Sequence, residues 1–397
     1  MLRTVACPNC WREFHPAEVH FVAESPELRG DPVLGPAEQL RFRAMRFDPA
    51  GNALDPHEGR CQRVACPSCH VEVPRAVLEV PQLPISVVGS PGSGKTNMLA
   101  AATWRLRREA PGLGMQFVDA EPGFNALIHR GESRLFSSAD PRGDVTLPKT
   151  DVGGADLYRM VRVGGHREMV PRPSYFRIRC ADGPDSVLVL YDNAGEHFLP
   201  GTASAGMVAT RHLERSASMV LVFDPMQDIR FRRKHAAGAF AGAEGHERQE
   251  LVLGEAIARV RRLRALDPSS PVSLPIVVAM TKADEWGASA LGTGWDALPG
   301  DEGPAARRRA LAEWSWAMGT RCRTAIAESS PEFLAALDSL SGNVRFVPCS
   351  ALGCSPTTGT DGRRVIAASS VRPRLAEAPL LVAAGLAEPA VFPELSG

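Results

Sequence analysis

Apolar residues along this chain gather into short unbroken runs, set between longer stretches in which apolar positions recur every three or four residues. The runs at 84–88, 186–191, 219–224 and 275–280 are five or six residues long and rich in Val, Ile and Leu. That is the pattern of strands covered on both faces. Residues 115–118 and 344–348, each run interrupted by one polar residue, are also strand candidates. A further strand, 175–180, pairs with 186–191 through the turn Asp182-Gly183-Pro184-Asp185. Helical spacing predicts helices from Asn97 to Leu106 (stopped at Pro111-Gly112), beginning near Glu121, over 205–215, and over 305–328. Leu251, Ala256, Ile257, Val260, Leu263 and Leu266 share one face of another, and 379–384 is an apolar helix candidate. Strands alternating with helices predict an α/β domain of three layers around a mainly parallel sheet.

Several stretches lack periodicity. Residues 113–175 run through Asp140, Thr146 and Thr150 to a Gly164-Gly165 turn, a length expected of a switch or an insertion. Residues 230–248 read as an exposed Arg-rich insertion, and a Gly- and Trp-rich loop runs up to Gly303. In the first 80 residues, 26–36 and 49–59 look like loops and 40–47 like a hairpin. We therefore divide the chain into a small domain at 1–80, the α/β domain at 81–356 and an extension at 357–397.

The chemistry concentrates at Gly89-Ser90-Pro91-Gly92-Ser93-Gly94-Lys95-Thr96, between the 84–88 strand and the helix that follows. This is the phosphate-binding P-loop pattern, and strand, glycine loop and helix are the context it needs. Gly89, Gly92 and Gly94 let the backbone turn its N–H groups inward, Ser93 adds one more, and the helix N-terminus adds a positive dipole end. Lys95 is expected on the β and γ phosphates of a nucleotide and the Thr96 hydroxyl on Mg²⁺. Asp192 closes an apolar strand, where a P-loop protein needs a carboxylate associated with Mg²⁺. Gly195, three residues on, can offer a backbone N–H to the γ-phosphate with no Cβ in the way.

Composition adds two points. With 45 basic and 45 acidic residues the formal charge is zero, so no bulk field attracts nucleic acid or anionic lipid. There is no run of membrane-span length and no signal-peptide core, so a cytoplasmic protein is expected. The basic residues are nearly all Arg; the lysines are Lys95, Lys149, Lys234 and Lys282, and two of these four lie in the motifs described here.

Cys7-Pro8-Asn9-Cys10 and Cys66-Pro67-Ser68-Cys69 are paired knuckles whose four thiolates suit tetrahedral Zn²⁺. The 55 residues between them, 11–65, exceed ordinary zinc-ribbon spacing and imply an insertion. Two unrelated reduced pairs, or a redox site, are the alternatives, and Cys61, His15 and His70 are substitute ligands to consider. No basic and aromatic stripe points to nucleic acid.

From 84 to 354 the chain resembles the Ras-like, translation-factor-related class of P-loop GTPases. The resemblance rests on four motifs in the family's order: 89–96, 192–195, Thr281-Lys282-Ala283-Asp284 and Ser350-Ala351. With the zinc-ribbon-like start and the insertions, it also looks like bacterial GTPases of the double-GTPase group. The resemblance implies a Mg²⁺-dependent switch that binds GTP and GDP and hydrolyses GTP. It further implies that Asp284 accepts from the guanine ring N–H and amino group, that Lys282 stacks along the base beside Thr281, and that the Ser350-Ala351 backbone donates to the guanine oxygen. Lys95, Gly195 and Glu196 would surround the reacting phosphate, and Thr150 (or Thr146) would be the switch threonine on Mg²⁺.

There are departures. Glu196 stands where Ras-like enzymes carry the Gln that orients water, which implies slow intrinsic hydrolysis and an effector or activating protein partner. Arg211 is one candidate for charge supplied within the chain. Two other readings remain open: a P-loop ATPase with a zinc module, and a non-hydrolysing adaptor. Against the first, Glu196 lies four residues after Asp192 rather than beside it.

Overall fold

The computed structural model describes residues 4–145, 157–163, 166–181, 183–193, 195–199, 210–235, 248–267, 270–298, 303–358 and 364–395. Its centre is a seven-stranded sheet in the spatial order Met115–Asp119, Ser174–Cys180, Asp185–Asp192, Gln82–Gly89, Ser218–Phe223, Ile276–Met280, Val344–Pro348. From Asp185–Asp192 to Val344–Pro348 neighbouring strands are parallel, and the two strands at the other edge are antiparallel. The expected mainly parallel α/β sheet is present.

Alternation along the strands assigns the two faces. Phe176, Ile178, Leu188 and Leu190 join the main core, with the Arg107 guanidinium of the Lys95–Glu109 helix over the Phe176 ring at 5.5 Å. Tyr175, Val187, Val189 and Tyr191 point the other way and pack with Cys7, Cys10, Trp11 and Val77. The N-terminal module thus covers one face of the sheet, as helices do elsewhere. At the far end of the chain, the Ala378–Ala387 helix is buried through Leu386 and packs into the main core. A helix apolar all round can only lie inside. Its approach is fixed by an ion pair between Arg105 and Glu377.

Several elements differ from expectation. Residues 283–291 form a helix, not a loop: Trp286 is buried, and Gly287 is bare because a Cβ there would meet the Trp295 ring at 2.8 Å. Pro331–Asp338 is a further helix. The basic run begins with the Ile229–His235 helix, anchored by buried Phe231 edge-on to Trp286 with centroids 5.5 Å apart. Tyr158–Val163 and His166–Pro171 form a hairpin whose Val161 and Val170 are buried in the module-side cluster. In the module, hairpins form at Val5–Ala6 with Glu13–Phe14, Arg29–Asp31 with Gly35–Gln39, Ala53–Leu54 with Arg60–Cys61, and Val64–Ala65 with Glu72–Val73, not at 40–47. Carboxylates organise the second and third turns: Asp31 accepts from the Val33 and Leu34 N–H groups, and Asp55 from those of His57 and Gly59.

Candidate functional site

Gln82–Gly89 lies between a strand that follows it in one direction and a strand that follows it in the other, so a crevice opens beyond its carboxyl end. Gly89 is tightly packed; a Cβ there would lie 2.5 Å from the Val222 carbonyl oxygen. The chain then turns through Gly92 (φ +72°) and Gly94 (φ +90°), both in the left-handed region, and enters the 15-residue helix Lys95–Glu109. First-turn N–H groups and the dipole end of that helix face the crevice. Half-buried Thr96 sits on the same turn.

Lys95 is buried, and its Nζ donates to the carbonyl oxygens of Gly89 (2.8 Å) and Ser90 (2.9 Å). Burial lowers its pKa, opposed by the negative charges of Asp192 and Glu196. Burial also pushes the Asp192 carboxyl up to about 6, against the pull of Lys95. Asp192 Oδ1 and Ser93 Oγ are buried without hydrogen-bond partners among the described residues. A hydroxyl and a carboxylate with an unclaimed oxygen are hard oxygen ligands that fit Mg²⁺, and the nearby backbone N–H groups fit a polyphosphate. Gly195 is pressed on the loop: a Cβ would lie 2.6 Å from Pro91 N and 2.7 Å from the Gly89 oxygen.

A second cavity, about 120 Å³, adjoins the loop at Gly94 and is also lined by Thr281, Lys282, Asp284, Ser350 and Ala351. Thr281 Oγ1 donates to the Ser93 carbonyl oxygen at 2.8 Å, fastening this loop to the phosphate loop. Lys282 has φ +55°, and its Nζ lies 2.5 Å from Asp224 Oδ2. Asp284 accepts from the Ser350 hydroxyl, whose Oγ accepts from the Gly353 N–H at 2.8 Å. Residues from three distant parts of the chain, around 94, 281–285 and 350–356, therefore line one cavity. Thr150 and Thr146 lie outside the described residues. Arg211 stacks over Trp11 at 5.9 Å, on the N-terminal module.

Sequence reasoning missed the turn after Ser218–Phe223. Gln227 accepts from Ser90 Oγ (3.0 Å) and donates to the Pro91 oxygen (3.2 Å), while Gln249 exchanges two 2.9 Å bonds with the Asp224 backbone. An Asp closing an apolar strand was the only available signal, and it gave no hint of the loop it would brace.

The four knuckle cysteines are all buried, with Sγ atoms within 4.8 Å of one another. Cys7–Cys69 and Cys10–Cys66 are separated by 3.8 and 3.7 Å. Tetrahedral zinc with bonds of about 2.3 Å requires sulfurs about 3.8 Å apart. Each knuckle ends in a left-handed residue, Trp11 (φ +58°) or His70 (φ +59°), and aims an N–H at its first sulfur, from Asn9 (3.4 Å) and Ser68 (3.3 Å). The set therefore fits a metal ion. The substitute ligands are engaged elsewhere: Cys61 bonds to the Gly59 oxygen, His15 caps a short helix, and His70 Nδ1 lies 2.8 Å from Asp31. Among the described residues no helix is long and apolar enough to cross a membrane.

No protein-family model matches the chain, and no curated protein matches it. Solved structures similar to it include the G domain of the T. maritima FeoB iron transporter, at 11% identity and TM-score 0.22, covering 52% of this chain and 76% of that one. Sup35 complexed with GDP is similar at 13% identity and TM-score 0.26, covering 76% of this chain and 44% of that one. At such scores the fold assignment rests on strand order and on the loop itself.

Proposed function

We propose that the chain is a Mg²⁺-dependent GTP-binding switch that hydrolyses GTP slowly until a protein partner assists. The observation that carries this reading is the cavity shared by Gly94 and Asp284, which allows one nucleotide to reach both the phosphate loop and a base-reading carboxylate. Guanine offers a ring N–H and an amino group side by side; Asp284, aligned by Ser350, would accept both. Adenine offers no such pair and would leave the carboxylate unmatched, a penalty of about 1–3 kcal/mol or more.

On the phosphate side, Lys95 would exchange its two carbonyl partners for phosphate oxygens, and the loop amides would hold the rest. Thr96 and Asp192 would hold Mg²⁺, which supplies charge neutralisation between the β and γ phosphates. Gly195 would present its N–H to the γ-phosphate, and Glu196 would orient the attacking water poorly, being itself anionic. The four cysteines would hold Zn²⁺ as a structural ion. Displacement of a fluorescent GDP analogue by GTP, GDP and ATP tests the reading. GTP and GDP should compete at least a hundredfold better than ATP; equal competition by ATP would falsify it.

A further inference from the structure

Tyr191, the residue before Asp192, faces away from the nucleotide crevice, and its contacts are unusual for a strand end. Its hydroxyl donates to the Pro8 carbonyl oxygen at 2.8 Å, inside the Cys7-Pro8-Asn9-Cys10 knuckle. Its ring stacks on His212, with centroids 4.6 Å apart and planes 9° from parallel. Both rings are buried.

His212 reaches back to the same turn from the other side. Its Nε2 lies 2.5 Å from Nδ2 of Asn193, the residue after Asp192, and its Nδ1 lies 2.5 Å from Ser86 Oγ on the strand that leads into the phosphate loop. With Asn193 in this orientation its amide donates, so Nε2 accepts and Nδ1–H donates to Ser86. Ser86 in turn pairs with Ser216, whose hydroxyl donates to the His212 carbonyl oxygen at 3.0 Å. Around His212 the segment is fastened to the module at two more points, Arg211 over Trp11 and Arg215 Nη1 on Glu13 Oε1 at 2.7 Å.

Residues on both sides of Asp192 are thus held by groups that lean on the cysteine knuckle. Pro8 lies between two cysteines, so a change in the knuckle's closure would re-aim its carbonyl. An opened knuckle would leave the Tyr191 hydroxyl buried without its acceptor, and the strand end would have to move to relieve it. Asp192 is the next residue of the same strand, on the opposite face, so a shift of the backbone at Tyr191 carries Asp192 with it.

We propose that Tyr191 and His212 couple the four-cysteine centre to the Asp192-Asn193 turn, so that filling the metal site tightens Mg²⁺–nucleotide binding and nucleotide tightens metal binding by the same factor. This rests on the proposed nucleotide and zinc roles. Linkage requires the two factors to be equal, and a factor of about tenfold is typical of such coupling.

The test uses the full chain, zinc-loaded or stripped with chelator and returned to Mg²⁺. Titration with a fluorescent GDP analogue measures nucleotide affinity in each form, and a chromogenic chelator measures zinc affinity with and without GDP. The expected result is a loss of about tenfold in both, falling toward onefold in Tyr191→Phe, which keeps the stacked ring and removes only the hydroxyl. A wild-type factor of one, or an unchanged factor in Tyr191→Phe, overturns the proposal. A nucleotide-free arm separates it from the functional reading. Stripping zinc should speed amide hydrogen exchange at 190–193 and 210–216 but not at 281–284; unchanged exchange at 210–216 overturns the coupling even if no guanine nucleotide binds.

Discussion

The Ser350 hydroxyl donates to Asp284 Oδ1 at the cavity beside Gly94, although the two lie 66 positions apart in sequence. The Gly353 N–H holds Ser350 in place, so the carboxylate is aligned before any ligand arrives. Preorganisation of this kind strengthens binding by reducing what must be ordered on association. Ser350→Ala should weaken GDP binding about ten- to a hundredfold, the worth of one charge-assisted bond. Asp284→Asn should cost far more for guanine and improve xanthine nucleotides, whose 2-carbonyl can accept from an amide. Calorimetric titration with GDP and xanthosine diphosphate checks both; improved GDP binding in Asp284→Asn would remove Asp284 from the base site.

Asp192 sets a pH dependence. Burial disfavours its charge and pushes its carboxyl up to about 6, against the pull of Lys95. Below that value the site holds a proton that Mg²⁺ must displace, and above it no proton competes. Apparent Mg²⁺ affinity should therefore fall about tenfold per pH unit below 6 and level off above it. Mg²⁺ titrations of the GDP complex between pH 5 and 8, with free GDP titrated in parallel for its own phosphate, would show the bend, and Asp192→Asn should reduce it to the free-GDP profile. A profile still rising between pH 7 and 8 would assign the control to another group.

Gly195 and the phosphate loop touch backbone to backbone, so no flexible side chain can yield. A Cβ 2.6 Å from Pro91 N would force the Gly195–Phe198 segment away from the loop. Gly195→Ala should leave GDP binding nearly unchanged while lowering GTP hydrolysis about tenfold or more, as loss of a donor to developing charge does. Single-turnover assays separate the two effects. Undiminished hydrolysis would mean that the Gly195 N–H takes no part.

How much of this was legible in the sequence depends on which forces each element answers to. The strand, glycine loop and helix from 82 to 109 follow from local rules, because β-branched runs favour strands and glycine enters the left-handed region at little cost. The Tyr158–Pro171 hairpin was hidden because its buried residues, Tyr158, Val161, Val170 and Pro171, are too widely spaced among Arg, His and Glu to show a strand period. The Ala283–Leu291 helix was hidden by Gly287, whose small size is required by Trp295, a partner eight residues away in sequence. The paired Cys-Pro-x-Cys knuckles could be read as one four-sulfur set, yet nothing local showed that the module shares a core with Tyr175 and Tyr191. Asp224 and His212 were missed for the same reason: each acquires meaning only from a residue brought to it by the sheet.

His212 provides a test of that long-range packing through stability rather than binding. The ring is fully buried, and burial lowers its pKa to about 3 from 6.5. The folded protein thus refuses a proton that the unfolded chain accepts below pH 6.5. The contribution is complete above 6.5 and is lost as pH falls toward 3, at up to about 1.4 kcal/mol per pH unit. His212→Gln has no such proton to refuse. At pH 8 it should cost about 1–3 kcal/mol, because Ser86 and Asn193 lose their shared partner and Tyr191 its stack. In acid the wild type should lose this advantage, so the stability gap between the two should close steadily between pH 6 and 4. Urea unfolding of both proteins across that range measures the gap directly. A gap independent of pH would mean that the ring is solvated and that the Ser86–His212–Asn193 chain does not hold the turn.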